Sequence, residues 1–326
     1  MHKDRLKIAF VFVSGLSTPL LVSSGVEAQG MSVSLYPPVI KIDTSPPSSP
    51  LVPITLQNNN SEDIVLDISL IPFSTNNSTG EIQLVPDLIN HGFYPYYKER
   101  IQFLVDGKKT DKIQLKALER KEIQLNINLS NGDPPGDYYY SISFINQGTS
   151  PQGTSVSQLP AGIASNLLLS VGPKGTATGG IAEFTTDTFV AKGPVDFTLK
   201  LHNASKHLVE PVGYIRIMNI FNQNVGTVNI LPQYVLAGKD RYLTDEKQIV
   251  DISSSKTDYT SIPKIVWNES FLLGWYKAEA SIKLDDSSSA LHSTTYFISF
   301  PLYLFFPLVL ILFICISIYL KVKKKI

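Results

Sequence analysis

The residues able to do chemistry are few. Five histidines occur in the chain, and leaving aside His2 near the N-terminus, His91, His202, His207 and His292 remain. His202 and His207 flank one turn, a spacing that suits no common zinc motif without Cys or Asp partners close by; solvated turn histidines are the expectation. There is no Gly-x-Ser-x-Gly elbow, no His-Glu-x-x-His, no phosphate-binding Gly-rich loop and no sortase-type cysteine. Asp285-Asp286 lies in a Ser-rich stretch, and Asp106-Gly107 with Asp111 reads as a hairpin turn. No catalytic residue, metal ligand or small-molecule cofactor is expected, and the chain reads as a non-enzyme. A carboxylate pair assembled by the fold leaves a surface glycan hydrolase as the alternative.

The aromatic knot Phe93, Tyr94, Tyr96 and Tyr97 is the candidate binding site. Rings on a loop stack on sugar faces or fill partner pockets at little entropic cost. The competing reading is that they pack across an open end of a β-sandwich. A polar loop, 146–162, is a second candidate recognition surface.

The elements that would position these residues are strands. Period-2 alternation dominates, as in Ile123, Leu125, Ile127 and Leu129 on one face. Val33 to Tyr36 and Val39 to Ile42 are short strands broken by Pro37-Pro38. Residues 87–100 break the pattern. Asp133-Pro-Pro-Gly-Asp-Tyr138 before a long strand resembles the tyrosine corner of immunoglobulin-type sandwiches. Gly274-Trp-Tyr276 repeats the signal. Each half also has a strand–Asn/Ser turn–strand pair, from Ile54 to Leu70 and from Phe197 to Ile217. The expected fold is all-β: two tandem immunoglobulin-like β-sandwich domains, 29–172 and 173–290, plus one C-terminal transmembrane helix.

The chain ends set the expected location. Lys3, Arg5 and Lys7 precede an apolar run and small residues at Val26 to Ala28, the pattern of a signal peptide over 1–28. From Ser287 to Leu320 there is no Asp, Glu, Lys or Arg. Residues 297–320 are apolar enough for a span of about 20 residues, and the lysines of the tail 321–326 mark the cytoplasmic side. The expectation is a single-pass type I cell-membrane protein with an extracellular, mildly acidic ectodomain and no basic patch for nucleic acid. The only cysteine, Cys315, falls in that apolar stretch, so the cores must hold without disulfides. Asn59, Asn76, Asn77, Asn128, Asn203 and Asn268 begin N-x-S/T triplets.

The run Ile54-Thr-Leu-Gln-Asn-Asn-Asn-Ser-Glu-Asp-Ile-Val-Leu-Asp-Ile68, the turn Asn77 to Gly80 and Pro134-Pro-Gly-Asp-Tyr-Tyr139 resemble the first ectodomain of WxL-interacting proteins, Gram-positive surface proteins of this architecture. In that family the first domain is associated with peptidoglycan and the second with host or partner proteins. The resemblance implies a membrane-anchored adhesion or scaffolding protein that engages an envelope glycan or another surface protein. A glycan hydrolase and the ectodomain of a sensor complex are the alternatives.

Overall fold

The computed structural model describes residues 32–146, 161–245 and 262–323. The expected signal peptide, most of the 146–162 loop and the end of the lysine tail lie outside the described residues.

The described chain is mostly β. Its first half contains β1 (Val33–Tyr36), β2 (Val39–Thr44), β3 (Leu51–Asn58), β4 (Ile64–Thr75) and β5 (Ile82–Leu84). A 3-10 turn over Pro86–Asn90 and a short helix α1 (Tyr94–Arg100) follow. The half closes with β6 (Ile101–Val105), β7 (Lys108–Lys109), β8 (Lys112–Leu115), β9 (Arg120–Ile127), β10 (Gly136–Asn146) and β11 (Ala161–Val171). One sheet runs β1-β3-β9-β6-β7; the other runs β2-β11-β10-β4-β5, with β8 also on β4. The alternating residues of both sheets meet in one core: Ile54, Leu56, Ile123, Leu125 and Ile127 from the first, Leu66, Leu115, Tyr140, Ile142, Phe144 and Leu167 from the second. Two sheets facing across such a core make an immunoglobulin-like sandwich.

The second half repeats the plan with β12 (Gly179–Thr186), β13 (Phe189–Val190), β14 (Val195–Asn203), β15 (Val212–Asn219), β16 (Asn224–Ile230), β17 (Asp240–Tyr242), β18 (Ile265–Trp267), β19 (Gly274–Lys283) and β20 (Leu291–Ser299). β12, β17 and β18 pair with β14 in one sheet, and β13-β20-β19-β15-β16 forms the other. Phe197, Leu199, Ile215, Ile217, Ala278, Ala280 and Ile282 fill its core.

Local chemistry explains the shared turns. Asn58, at the end of β3, is fully buried; its amide donates to the carbonyls of Glu62 and Lys116, and its oxygen accepts from the Asn60 N–H. Asn203, at the end of β14, does the same with His207, Val235, Leu236 and Ser205. These Asx turns satisfy backbone groups that the end of a strand leaves unpaired inside the core. Both corner glycines take positive φ, +147° at Gly136 and +108° at Gly274, where a side chain would be strained. The corner tyrosines fold back on the chain: the Tyr276 hydroxyl donates to the Leu273 carbonyl at 3.3 Å and accepts from its N–H at 3.1 Å.

The C-terminal expectation is corrected. Phe297 is 1% exposed, stacked on Tyr276 at 5.0 Å and edge-on to Phe197 and Trp267. Residues 291–299 are thus the last strand of the second sandwich, which runs past residue 290, and not the start of a span. After Pro301 comes α2 (Leu302–Lys323). On it Leu310 to Ile318 are exposed. Among the described residues no helix is long and apolar enough to cross a membrane. The span over 297–320 and the single-pass type I placement built on it are not retained.

Candidate partner-binding edge

The aromatic knot packs onto the first core. Pro95 sits in the first turn of α1, where its missing N–H costs nothing. Tyr97 is fully buried, 4.0 Å from the Tyr138 ring, and its hydroxyl donates to the Pro134 carbonyl at 2.6 Å. The Tyr138 hydroxyl reaches the same carbonyl only at 3.5 Å, so α1 makes the short bond at this corner. Tyr94 lies edge-on to Tyr140 at 5.3 Å, and the Tyr140 hydroxyl donates to the Tyr94 carbonyl at 2.8 Å. Burial pushes the hydroxyls of Tyr97 and Tyr140 well up, keeping them protonated donors. Tyr96 donates to Asp133 at 2.5 Å and is also bonded by Arg100. Phe93 stands out of this packing, 54% exposed. The three tyrosines fasten α1 over the end of the sandwich.

His202 stands exposed on β14, whereas His207 is largely buried. His202 Nδ1 lies 2.6 Å from Asp240, and that contact, with Lys200 beside it, holds the Asp240 carboxyl below the usual range. His207 Nδ1 lies 2.7 Å from Asp137, whose side chain is 2% exposed. The other Asp137 oxygen accepts from the Leu208 N–H and the Tyr139 hydroxyl, both at 2.6 Å. Around this carboxylate, Phe73, Tyr139 and Leu168 of the first sandwich pack against Leu208, Leu236 and Tyr234 of the second. The turn Asn76 to Gly80 adds a backbone bond, from the Tyr242 N–H to the Ser78 carbonyl at 2.9 Å. Asp137 is therefore the polar centre of the joint between the sandwiches. Sequence reasoning used it only as the middle of the Gly-Asp-Tyr corner. The available signal was the unbroken apolar run Tyr138-Tyr139-Tyr140 beside Leu167-Leu168-Leu169, since a strand buried on both faces loses its alternation.

The remaining feature is an open edge. The N-terminal strand changes sheets at Pro37-Pro38: β1 pairs antiparallel with β3, and β2 pairs parallel with β11. That pairing covers only Asn166 to Val171 of β11. The Asn166 N–H donates to the Pro38 carbonyl at 2.9 Å, and the Gly172 N–H to Thr44 at 2.8 Å. Alternate residues of a strand aim their backbone groups the same way, so Gly162 and Ala164 aim theirs at the side β2 occupies further along. No described strand pairs with that side from Ala161 to Ser165. The Ser165 hydroxyl, fully buried, donates to the Pro37 carbonyl at 2.7 Å and marks where cover begins. Val33 and Leu35 of β1 and Ile163 of β11 are partly buried against the core at this end of the sandwich. A polar cleft lies beside β2, lined by Lys41, Lys174, His207 and Glu210. Lys41 there lies 3.3 Å from Glu210 and Lys174 2.6 Å from Asp43.

No family model and no curated protein matches the chain. Solved structures do. The class 5 fimbriae chaperone CfaA matches with a TM-score of 0.40 at 12% identity, covering 82% of this chain and 99% of its own. The E. coli chaperone DraB gives 0.35 at 10%, covering 81% and 98%. A complex of Salmonella enterica SafA pilin with the SafB chaperone gives 0.35 at 12%, covering 82% and 98%. Likenesses this distant carry no functional weight for this chain. No family model supports the resemblance to WxL-interacting proteins, and that resemblance is withdrawn. With it go the membrane-anchored adhesion or scaffolding role, the envelope-glycan and surface-protein partners, the single-span membrane partner, and the hydrolase and sensor alternatives.

Proposed function

We propose that this chain is a non-catalytic protein-binding module, two tandem immunoglobulin-like domains in which the first takes an extended segment of a partner polypeptide as an added strand. The observation that carries this reading is the edge of β11 over 161–165, with which no described strand pairs on the side β2 takes further along. It offers main-chain donors and acceptors at Gly162 and Ala164, with Val33, Leu35 and Ile163 partly buried against the core of the same sandwich. Strand addition draws affinity from backbone bonds and specificity from the side chains on alternate positions. An exposed edge of this kind is a template for pairing unless something blocks it. Here the flanking residues are small: Gly162 and Ala164 are exposed and present no bulk to an approaching backbone.

The test uses a labelled peptide copying β2, Val-Ile-Lys-Ile-Asp-Thr, which already pairs with this strand in the fold. Fluorescence anisotropy should show it binding the wild-type protein and failing to bind Ala164→Pro. The ring removes an N–H aimed at the open side while leaving the β10 pairing intact, so the thermal midpoint should stay near wild type. Equal binding by a folded Ala164→Pro variant would refute the reading.

A further inference from the structure

We infer that β2 is a resident strand which the partner segment displaces, so that the full accepting edge is 161–171 and not 161–165. This rests on the strand-addition reading and extends it to the chemistry of the partner.

Four observations converge. First, β2 is held on β11 in the parallel sense, the slightly weaker of the two pairings, whereas an incoming segment can pair antiparallel. Second, no hairpin ties β2 to β11: Pro37-Pro38 precedes it, and Thr44-Ser-Pro-Pro-Ser-Ser-Pro50 follows it. Those prolines disfavour regular structure on either flank, so β2 can leave without unravelling β3. Third, the side-chain tie nearest the open end is a single bond, from Ser165 to the Pro37 carbonyl. Fourth, the second sandwich places the equivalent parallel strand, β13, against only Ile298 and Ser299 of β20. The architecture therefore stands with most of that edge uncovered by its parallel strand.

β2 also states what the replacement must look like. Ile40 and Ile42 are buried in the first core while Val39, Lys41 and Asp43 point outward. A displacing segment must bring branched apolar side chains at two alternate positions, with polar residues between them, to refill the sites the two isoleucines vacate. It must also extend past them by about four residues to gain the bonds at Gly162 and Ala164, since an extended residue advances roughly 3.3 Å. The partner is thus an extended polypeptide segment of about 11 residues with alternating apolar character over the half that replaces β2. The leaving strand takes with it Lys41, which reaches Glu210 and the Tyr234 ring of the second sandwich.

A disulfide between β2 and β11 tests this directly. Val39 lies opposite Asn166, and the full-length protein carrying Val39→Cys, Asn166→Cys and Cys315→Ser can be compared oxidised and reduced. Two labelled synthetic peptides serve as probes: a short one with alternating valine and threonine, sized for 161–165, and a long one that adds the β2 sequence. In the reduced protein the long peptide should bind at least about tenfold tighter than the short one. In the oxidised protein that advantage should vanish, while the short peptide binds both forms alike. A long peptide that binds the oxidised and reduced forms equally overturns the displacement and leaves strand addition standing. If the short peptide binds neither form, the strand-addition reading itself has failed, and displacement falls with it.

Discussion

The two sandwiches are built on one plan and differ in what each leaves uncovered. Both open with a strand that changes sheets, β1 to β2 in the first and β12 to β13 in the second, and in both the second part lies parallel to the last strand. In both, a buried serine of the last strand bonds a carbonyl of the crossing segment: Ser165 to Pro37, and Ser299 to Val190, each at 2.7 Å. Both turn on a buried asparagine and on a Gly-x-Tyr corner. The middle residue of that corner separates them. Asp137 is buried in the joint with His207, whereas Trp275, its counterpart, is 64% exposed. One geometric position thus serves as a clamp in one copy and stands open in the other, because a middle residue must point away from its own core. What it does depends on whether another sandwich covers it.

The first sandwich also carries α1, which has no counterpart among the described residues of the second. Tyr97→Ala should give the largest effect of any single change considered, about 4 kcal/mol, in the range for removing a large buried aromatic. Tyr97 belongs wholly to the first core. Calorimetry should therefore show the transition of the first sandwich falling while that of the second keeps its position. A loss below about 1 kcal/mol would mean that α1 is a mobile appendage and not a lid over the core.

The corner comparison sharpens next. Asp137→Ala removes the acceptor of the Leu208 N–H, the Tyr139 hydroxyl and His207. Stranding buried donors of a charged acceptor should cost about 3 kcal/mol, and it should widen the separation between the two transitions. Trp275→Ala, at the same place in the second corner, should change stability by less than about 0.5 kcal/mol, as expected for an exposed position. Chemical denaturation of the two variants side by side checks the pair. Equal losses would mean that the clamp is not specific to Asp137.

Much of this plan is written in the sequence. The Gly136 and Gly274 corners, the paired strand–Asn turn–strand segments and the clean alternation of Ile123 to Leu129 each follow from local chemistry that repeats. The break at 87–100 was visible too, but its content was not. Seven residues with a proline in the first turn make a helix only because Tyr94 and Tyr97 find the core, and that is a tertiary effect. The end of β20 was hidden for a different reason. Phe297 and Ile298 continue through Ser299 into the apolar stretch that follows without a charged residue, so composition shows no boundary, and only the packing of Phe297 reveals one. His207 was misread because its partner, Asp137, lies 70 residues earlier in the chain. The open edge could not be read at all, because whether a strand edge is paired depends on where Pro37-Pro38 sends the strand before it. The prolines announce a break in that strand and say nothing of its new partner.

The central claim is that the backbone of Gly162 and Ala164 is unpaired in the free protein and becomes paired when a segment adds to β11. Amide hydrogen exchange resolved at those two residues, with and without the β2-copy peptide, tests it most directly. The account predicts fast exchange at Gly162 and Ala164 in the free protein, slow exchange at Ile163 and Ser165 where β10 already pairs, and strong slowing at Gly162 and Ala164 once peptide is bound. Slow exchange at Gly162 and Ala164 without peptide, or no change when it binds, would contradict it.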